Sequence, residues 1–348
     1  MSRPLLVAYR ALGLGDLLTA VPALRALARA FPEHQRVLAA PWALAGLARL
    51  TGAVDEVVDC APLAPLPQCL HGADVAVNLH GRGTQSHEVL LATGPRRLIA
   101  FGRPPDPVWR SGEHEVARWC RLLVESGIPA DPADLAIAAP ELPAPAAAVG
   151  ATLIHPGAAS AARRWPAERW AEVALAERAA GRRVVITGSA TERPLADRVA
   201  RAAGLPGETV LAGRTDLLEL TATVAAAARV ACGDTGIAHL ATALEIPSVV
   251  LFGPTPPAEW GPPRTGRHLA LWAGRRGDPH GDQPDPGLLE IRVFDVLDAL
   301  DEAAEASASG QARSSSATSF ATRAAMSSRM ARTSSTGRPF GSGRSQST

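Results

Sequence analysis

Val230-Ala231-Cys232-Gly233-Asp234-Thr235-Gly236-Ile237-Ala238-His239-Leu240 is an apolar run, a turn of small and polar residues, and the start of an Ala/Leu-rich helix carrying His239. Val230 to Cys232 reads as a buried strand. A strand that passes through so short a turn into a helix is half of a βαβ unit, which implies a parallel sheet. The turn places free backbone N–H groups and the positive end of a helix at the sheet's carboxyl edge, where anions and above all phosphates bind. The same residues suit plain capping, with Asp234 or Thr235 as N-cap. On the turn alone both readings stand.

Working outward, the second half of the chain repeats the pattern. Strands are predicted at Thr152–His155, Arg183–Thr187, Arg229–Cys232 and Ser248–Phe252. Helices are predicted at Pro166–Ala180, Glu192–Ala203, Leu217–Ala227 and Ile237–Leu244. The first half alternates likewise, with strands at Leu5–Tyr9, Val37–Ala40, Val54–Val58, Asp74–Leu79 and Leu98–Phe101. Its helices fall at Asp16–Phe31, Trp42–Leu50, His87–Thr93 and Glu113–Ser126. Between the halves, Pro129 to Pro145 is rich in Pro and Ala and reads as a linker. Two βα series joined in this way predict an α/β protein of two Rossmann-like domains facing a central cleft. The domains are 1–145, with its linker at about 129–150, and 151–305. A final helix at roughly Val293–Ala306 is expected to pack back across them.

The charge is unevenly placed. The 348 residues carry a net +1, yet six arginines and no carboxylate follow Glu305. Up to that point 29 basic residues stand against 34 acidic ones. Such a mildly acidic body excludes broad electrostatic binding of nucleic acid. The Ser/Arg-rich segment 306–348 lacks apolar periodicity and is expected to be disordered. Lysine is absent from the chain, so arginine is expected wherever function calls for a cation. Cys60, Cys69, Cys120 and Cys232 show no CxxC spacing, so the expectation is reduced thiols and neither a metal site nor a disulfide framework. Charged residues at Arg10, Asp16 and Arg25 break the first apolar run. Neither a signal peptide nor a membrane span is expected, and the protein is placed in the cytoplasm or on the inner membrane face.

Four further stretches carry candidate chemistry. Asp16 follows Gly13 and Gly15 at the first strand–helix junction. It suits either an N-cap or a carboxylate at the cleft edge that accepts a proton. Gly157 and Ala158 form a small-residue loop before Arg163 and Arg164, where a first βα loop would face the cleft. Arginine there binds phosphate oxygens or is merely solvated. Glu192, one βα unit on, fits a ribose-binding acid or a favourable charge in a first helical turn. Phe252-Gly253-Pro254-Thr255-Pro256-Pro257 and Trp260-Gly261-Pro262-Pro263 make a stiff wall.

Together Leu14-Gly15-Asp16-Leu17-Leu18, His155-Pro156-Gly157-Ala158, Arg163-Arg164-Trp165-Pro166, Asp234-Thr235-Gly236-Ile237-Ala238-His239 and the Pro/Gly wall resemble glycosyltransferase family 9 over about residues 3 to 305. The family comprises ADP-heptose:lipopolysaccharide heptosyltransferases and their relatives. The resemblance implies a GT-B fold and metal-independent, inverting sugar transfer with no cofactor beyond an ADP-linked nucleotide-sugar donor. It places the base on Asp16, and donor binding on Arg163 (where the family usually has lysine), Glu192, Asp234, Thr235, Gly236 and His239. The acceptor, a cell-envelope glycan or glycolipid, would meet first-domain loops, with Asn78, His80, Arg82 and Gln85 as candidates. A monomer is expected. Two other classes remain open: a nucleotide-sugar binding protein without catalysis, and an NAD-dependent oxidoreductase. Against the latter, the GxGxxG fingerprint is missing.

Overall fold

The first half forms a sheet of five parallel strands: β1 (Leu5–Tyr9), β2 (Gln35–Ala40), β3 (Glu56–Asp59), β4 (Val75–Asn78) and β5 (Arg97–Ile99), in the order β3-β2-β1-β4-β5. The computed structural model describes residues 3–103 and 105–309; of the segment 306–348 expected to be disordered, 306–309 are helical and 310–348 lie outside the described residues. Residues up to Ala304 make one unit. Helices α1 (Leu14–Thr19), α2 (Val21–Ala30), α3 (Ala45–Leu50), α4 (Thr84–Leu91) and α5 (Glu115–Glu125) cover the first sheet.

The second sheet, also all parallel, holds β6 (Thr152–His155), β7 (Val184–Ile186), β8 (Arg229–Gly233), β9 (Ser248–Phe252) and β10 (His268–Trp272), ordered β7-β6-β8-β9-β10. Around it lie α6 (Ala167–Ala179), α7 (Arg193–Ala202), α8 (Leu217–Ala226), α9 (Gly236–Ala243), α10 (Pro257–Trp260) and α11 (Pro286–Glu290), with a last helix, α12, over 293–309. Strands such as β8 and β9 are buried at every residue, as parallel strands covered on both faces must be. Each strand order reverses once, between β1 and β4 in the first sheet and between β6 and β8 in the second. Ligands of doubly wound sheets bind at such reversals, beyond the carboxyl ends of the strands.

The domains meet where α1 crosses α9, and the crossing is built on glycine. A Cβ on Gly15 would lie 2.9 Å from His239 Cδ2, and one on Gly236 would lie 2.9 Å from Leu14 Cδ2. Gly46 of α3 likewise leaves room for Leu218 of α8. The linker is tied down by Arg25 and Arg29, which hold Asp134 at 2.7 and 2.6 Å.

Three expectations change. The helix predicted over Asp16–Phe31 starts at Leu14 and is interrupted at Ala20, because Pro22 near the start of α2 has no N–H to continue the ladder. Strand β10 was missed although Leu269–Trp272 is an apolar run; it lies at the sheet edge, paired with β9 alone. The buried apolar residues of α12, Val296, Ala299 and Leu300, join a core with Trp165 and Trp170, so this part of the helix packs on the second domain.

Candidate active site

Between the two reversals lies a cavity of about 690 Å³, lined from the first domain by residues 13–16 and from the second by Arg163, Glu192, residues 234–237 and His239. Asp16 sits in the first turn of α1 and is not its N-cap, a position held by Gly13. One carboxylate oxygen accepts the Gly13 N–H at 3.2 Å and the other meets Arg10 Nη2 at 3.2 Å.

Opposite, β8 delivers the turn that begins α9. Its N-cap is Thr235, whose side chain makes no capping hydrogen bond. Asp234 is buried, and Arg163 faces it, with Nη1 3.3 Å from the Asp234 carbonyl and 3.7 Å from its carboxylate. Burial pushes the Asp234 carboxyl up, and the Arg163 charge opposes that. Thr235 holds the N-cap position without a side-chain bond, so the amide end of α9 opens on the cavity. Arg163 makes only long contacts of 3.3 to 3.7 Å, which leaves its fork available to an anion. His239, one turn on, is held neutral near pH 7: burial, with the charges of His114 and Arg10, lowers it to about 4.

Glu192 stands at a helix start and faces the cavity. Its carboxylate accepts the Ser189 N–H and hydroxyl, each at 2.8 Å, and it lines the cavity. Burial works against its charge, but the Ser189 bonds, His155 at 3.9 Å and Arg164 bring the carboxyl below its ordinary range.

Other candidates have different duties. A Cβ on Gly157 would fall 2.1 Å from Glu192 Oε1, so that glycine makes room for the acid. Ala158 is buried, Arg164 Nε donates to its carbonyl at 2.8 Å, and both lie outside the cavity lining. Asn78 is fully buried, donating to Ser86 at 2.9 Å and accepting from the His80 N–H at 3.0 Å; it pins β4 to α4 and cannot meet an acceptor. The His80 ring stacks on Tyr9 at 4.6 Å. Arg82 lies 5.8 Å over the Trp109 ring, and Gln85 is exposed on α4; His80, Arg82 and Gln85 all lie outside the cavity lining.

Two features escaped the sequence reading. Thr215, Leu217 and Leu220 form a cavity wall at the start of α8, where the capping pair Asp216 and Glu219 was the only available sign. Arg10, directly after β1, is completely buried beneath Asp16. Among the described residues, no group of three or more His, Cys, Asp or Glu is placed to hold a metal ion, and no helix is long and apolar enough to cross a membrane.

Two parallel α/β domains with their reversals opposed across one cavity, a carboxylate on one side and an open helix end on the other, define a GT-B protein. The chain belongs to glycosyltransferase family 9 (heptosyltransferase), whose profile matches residues 105–283. That match takes in Arg163, Glu192 and the Asp234–His239 turn and stops short of Asp16. Lipooligosaccharide heptosyltransferase 2 of Haemophilus influenzae is 31% identical over 153 residues, which is 40% of this chain and 43% of that protein. The chain thus matches less than half the length of this curated relative. Among solved structures, ADP-heptose lipopolysaccharide heptosyltransferase II of Escherichia coli superposes with a TM-score of 0.69 at 21% identity, covering 86% of this chain and 98% of that one. Escherichia coli heptosyltransferase WaaC with ADP gives 0.64 at 19% identity, covering 86% and 99%.

Proposed function

We propose that the protein transfers a sugar, a heptose or a close relative, from an ADP-linked donor to a hydroxyl of a cell-envelope glycan or lipid-linked saccharide. The reading places it as a monomer in the cytoplasm, where it would reach a membrane-borne acceptor from the inner face. The observation that carries it is the opposition, across a single cavity, of Asp16 and the Arg163–Asp234–α9 platform.

In this mechanism the acceptor oxygen attacks the anomeric carbon and the bond to the diphosphate breaks on the opposite face, inverting the centre. Asp16 takes the hydroxyl proton. The electron pair leaves with the diphosphate, whose charge is met by Arg163 and the amide end of α9 in place of a metal ion. Gly236 exposes that helix end, and His239, being neutral, donates to the donor or accepts from it without adding charge. Glu192 faces the ribose.

A thermal-shift screen of ADP, GDP, UDP and NAD, followed by mass spectrometry of donor turnover, tests the reading. Stabilisation by ADP with turnover of an ADP-sugar is expected. Stabilisation by NAD alone would favour an oxidoreductase, and ADP binding without turnover of any nucleotide sugar would leave a binding protein.

A further inference from the structure

Arg10 leaves the end of β1 with its guanidinium fully buried, at the rim of a cavity it does not line. Nε donates to the Asp16 carbonyl and Nη1 to the Leu79 carbonyl. Nη2 reaches Asp16 Oδ1 at 3.2 Å, Thr19 Oγ1 at 3.2 Å and Glu115 Oε1 at 3.1 Å. The Trp119 ring covers the guanidinium at 4.8 Å, and its indole N–H donates to the same Glu115 oxygen at 2.9 Å. The second Glu115 oxygen pairs with Arg118, which lies 4.0 Å over the Trp109 ring. Charges thus alternate inward from the cleft as Asp16, Arg10, Glu115 and Arg118, and of these only Asp16 lines the cavity.

Stability alone is a poor reason for such a chain, because buried ion pairs are often replaceable by apolar residues at no loss. Its geometry has a sharper use. With Oδ1 on Arg10 and Oδ2 on the Gly13 N–H, the carboxylate is held at both oxygens and cannot swing. Glu115 Oε1 accepts from the same Arg10 nitrogen at 3.1 Å and so fixes where that nitrogen lies.

We propose that Arg10 and Glu115 are positioning residues for Asp16: Arg10 aims the carboxylate at the acceptor hydroxyl, and Glu115 holds the Arg10 guanidinium in place. This rests on the reading of Asp16 as the base. The other groups facing it are Arg118 behind Glu115 on α5, His80 at the end of β4, and His239 of α9, which packs on Gly15.

Glu115→Gln removes the charge that holds Arg10 and keeps the shape. Arg10→Lys keeps the charge and loses the fork. In each variant kcat falls about tenfold or more with ADP affinity by calorimetry unchanged, a split that a general loss of structure would not produce. Wild-type kcat in Arg10→Lys or in Glu115→Gln overturns the proposal. Near-normal turnover in Asp16→Asn instead refutes Asp16 as base, so the two failures are distinct.

Discussion

Replacing Gly15 by alanine tests whether the interdomain crossing shapes the donor site. The added Cβ would stand 2.9 Å from His239 Cδ2, 3.4 Å from its Nε2 and 3.6 Å from Gly236 Cα. Carbon atoms in contact prefer about 3.5 to 4.0 Å, so α1 and α9 must part or the imidazole must move by roughly half an ångström. Overpacking of this kind costs about 1–3 kcal/mol, against which alanine returns up to about 1 kcal/mol of helix propensity. The net loss of stability therefore lies between about zero and 3 kcal/mol, at most several degrees in Tm for a chain of this size. The larger effect falls on the ligand: displacing His239 is expected to weaken ADP binding about tenfold, a loss of roughly 1.4 kcal/mol. Gly13→Ala is the control, since its Cβ would meet nothing closer than Asp16 Oδ2 at 3.5 Å. It should lose only an N-cap preference of about 1 kcal/mol. Thermal unfolding and calorimetry with ADP read both effects. A folded Gly15→Ala protein with wild-type affinity for ADP would show that the close approach of α1 to His239 does not shape the site.

Asp16→Asn is expected to lower kcat by about 10² to 10⁴, the usual worth of a general base, with ADP affinity retained; near-normal turnover removes Asp16 from the mechanism. Arg163→Ala should weaken ADP binding far more than binding of adenosine, because only the diphosphate needs the guanidinium; equal losses for both ligands count against that role. Stability should fall as pH drops from about 6.5 towards 4. His239 and His268 are both lowered to about 4, chiefly by burial. In that window the unfolded chain binds protons that the fold refuses, so each histidine removes up to about 1.4 kcal/mol per pH unit. A Tm profile with the same slope in wild type and in His268→Asn argues against this origin for that histidine.

Much of the fold was legible because parallel strands are buried on both faces and read as short apolar runs. Nine of the ten strands among the described residues were placed from such runs, the half-exposed edge strands β3 and β5 included, and β10 was missed despite its Leu269–Trp272 run. The site was legible in part. Asp16, Arg163, Glu192 and the Asp234–His239 turn sit on the first residues after strands or at helix starts, so their place at the carboxyl edge follows from the local pattern alone. Gly157, Arg164 and Asn78 sit in equally promising positions, and their neighbours turn them to other work. Nothing in a βα pattern distinguishes the arginine that faces the cleft from the one that bonds its own loop.

The turn after β8 thus separates the two kinds of information. The sequence by itself determined a strand, a small-residue turn and a helix, because hydrophobic periodicity and glycine placement are local properties. It left open whether Asp234 and Thr235 cap α9 or leave its end to a ligand. Tertiary structure supplies the surroundings of that turn: Arg163 comes from 71 residues away to sit over Asp234, and Gly15 and Leu14 of the other domain press against His239 and Gly236. The charge chain behind Asp16 is of the same kind, since Arg10 and Glu115 are 105 residues apart. Burial, charge pairing and the opposition of two sheet edges depend on which distant residues meet, and only the folded chain brings them together.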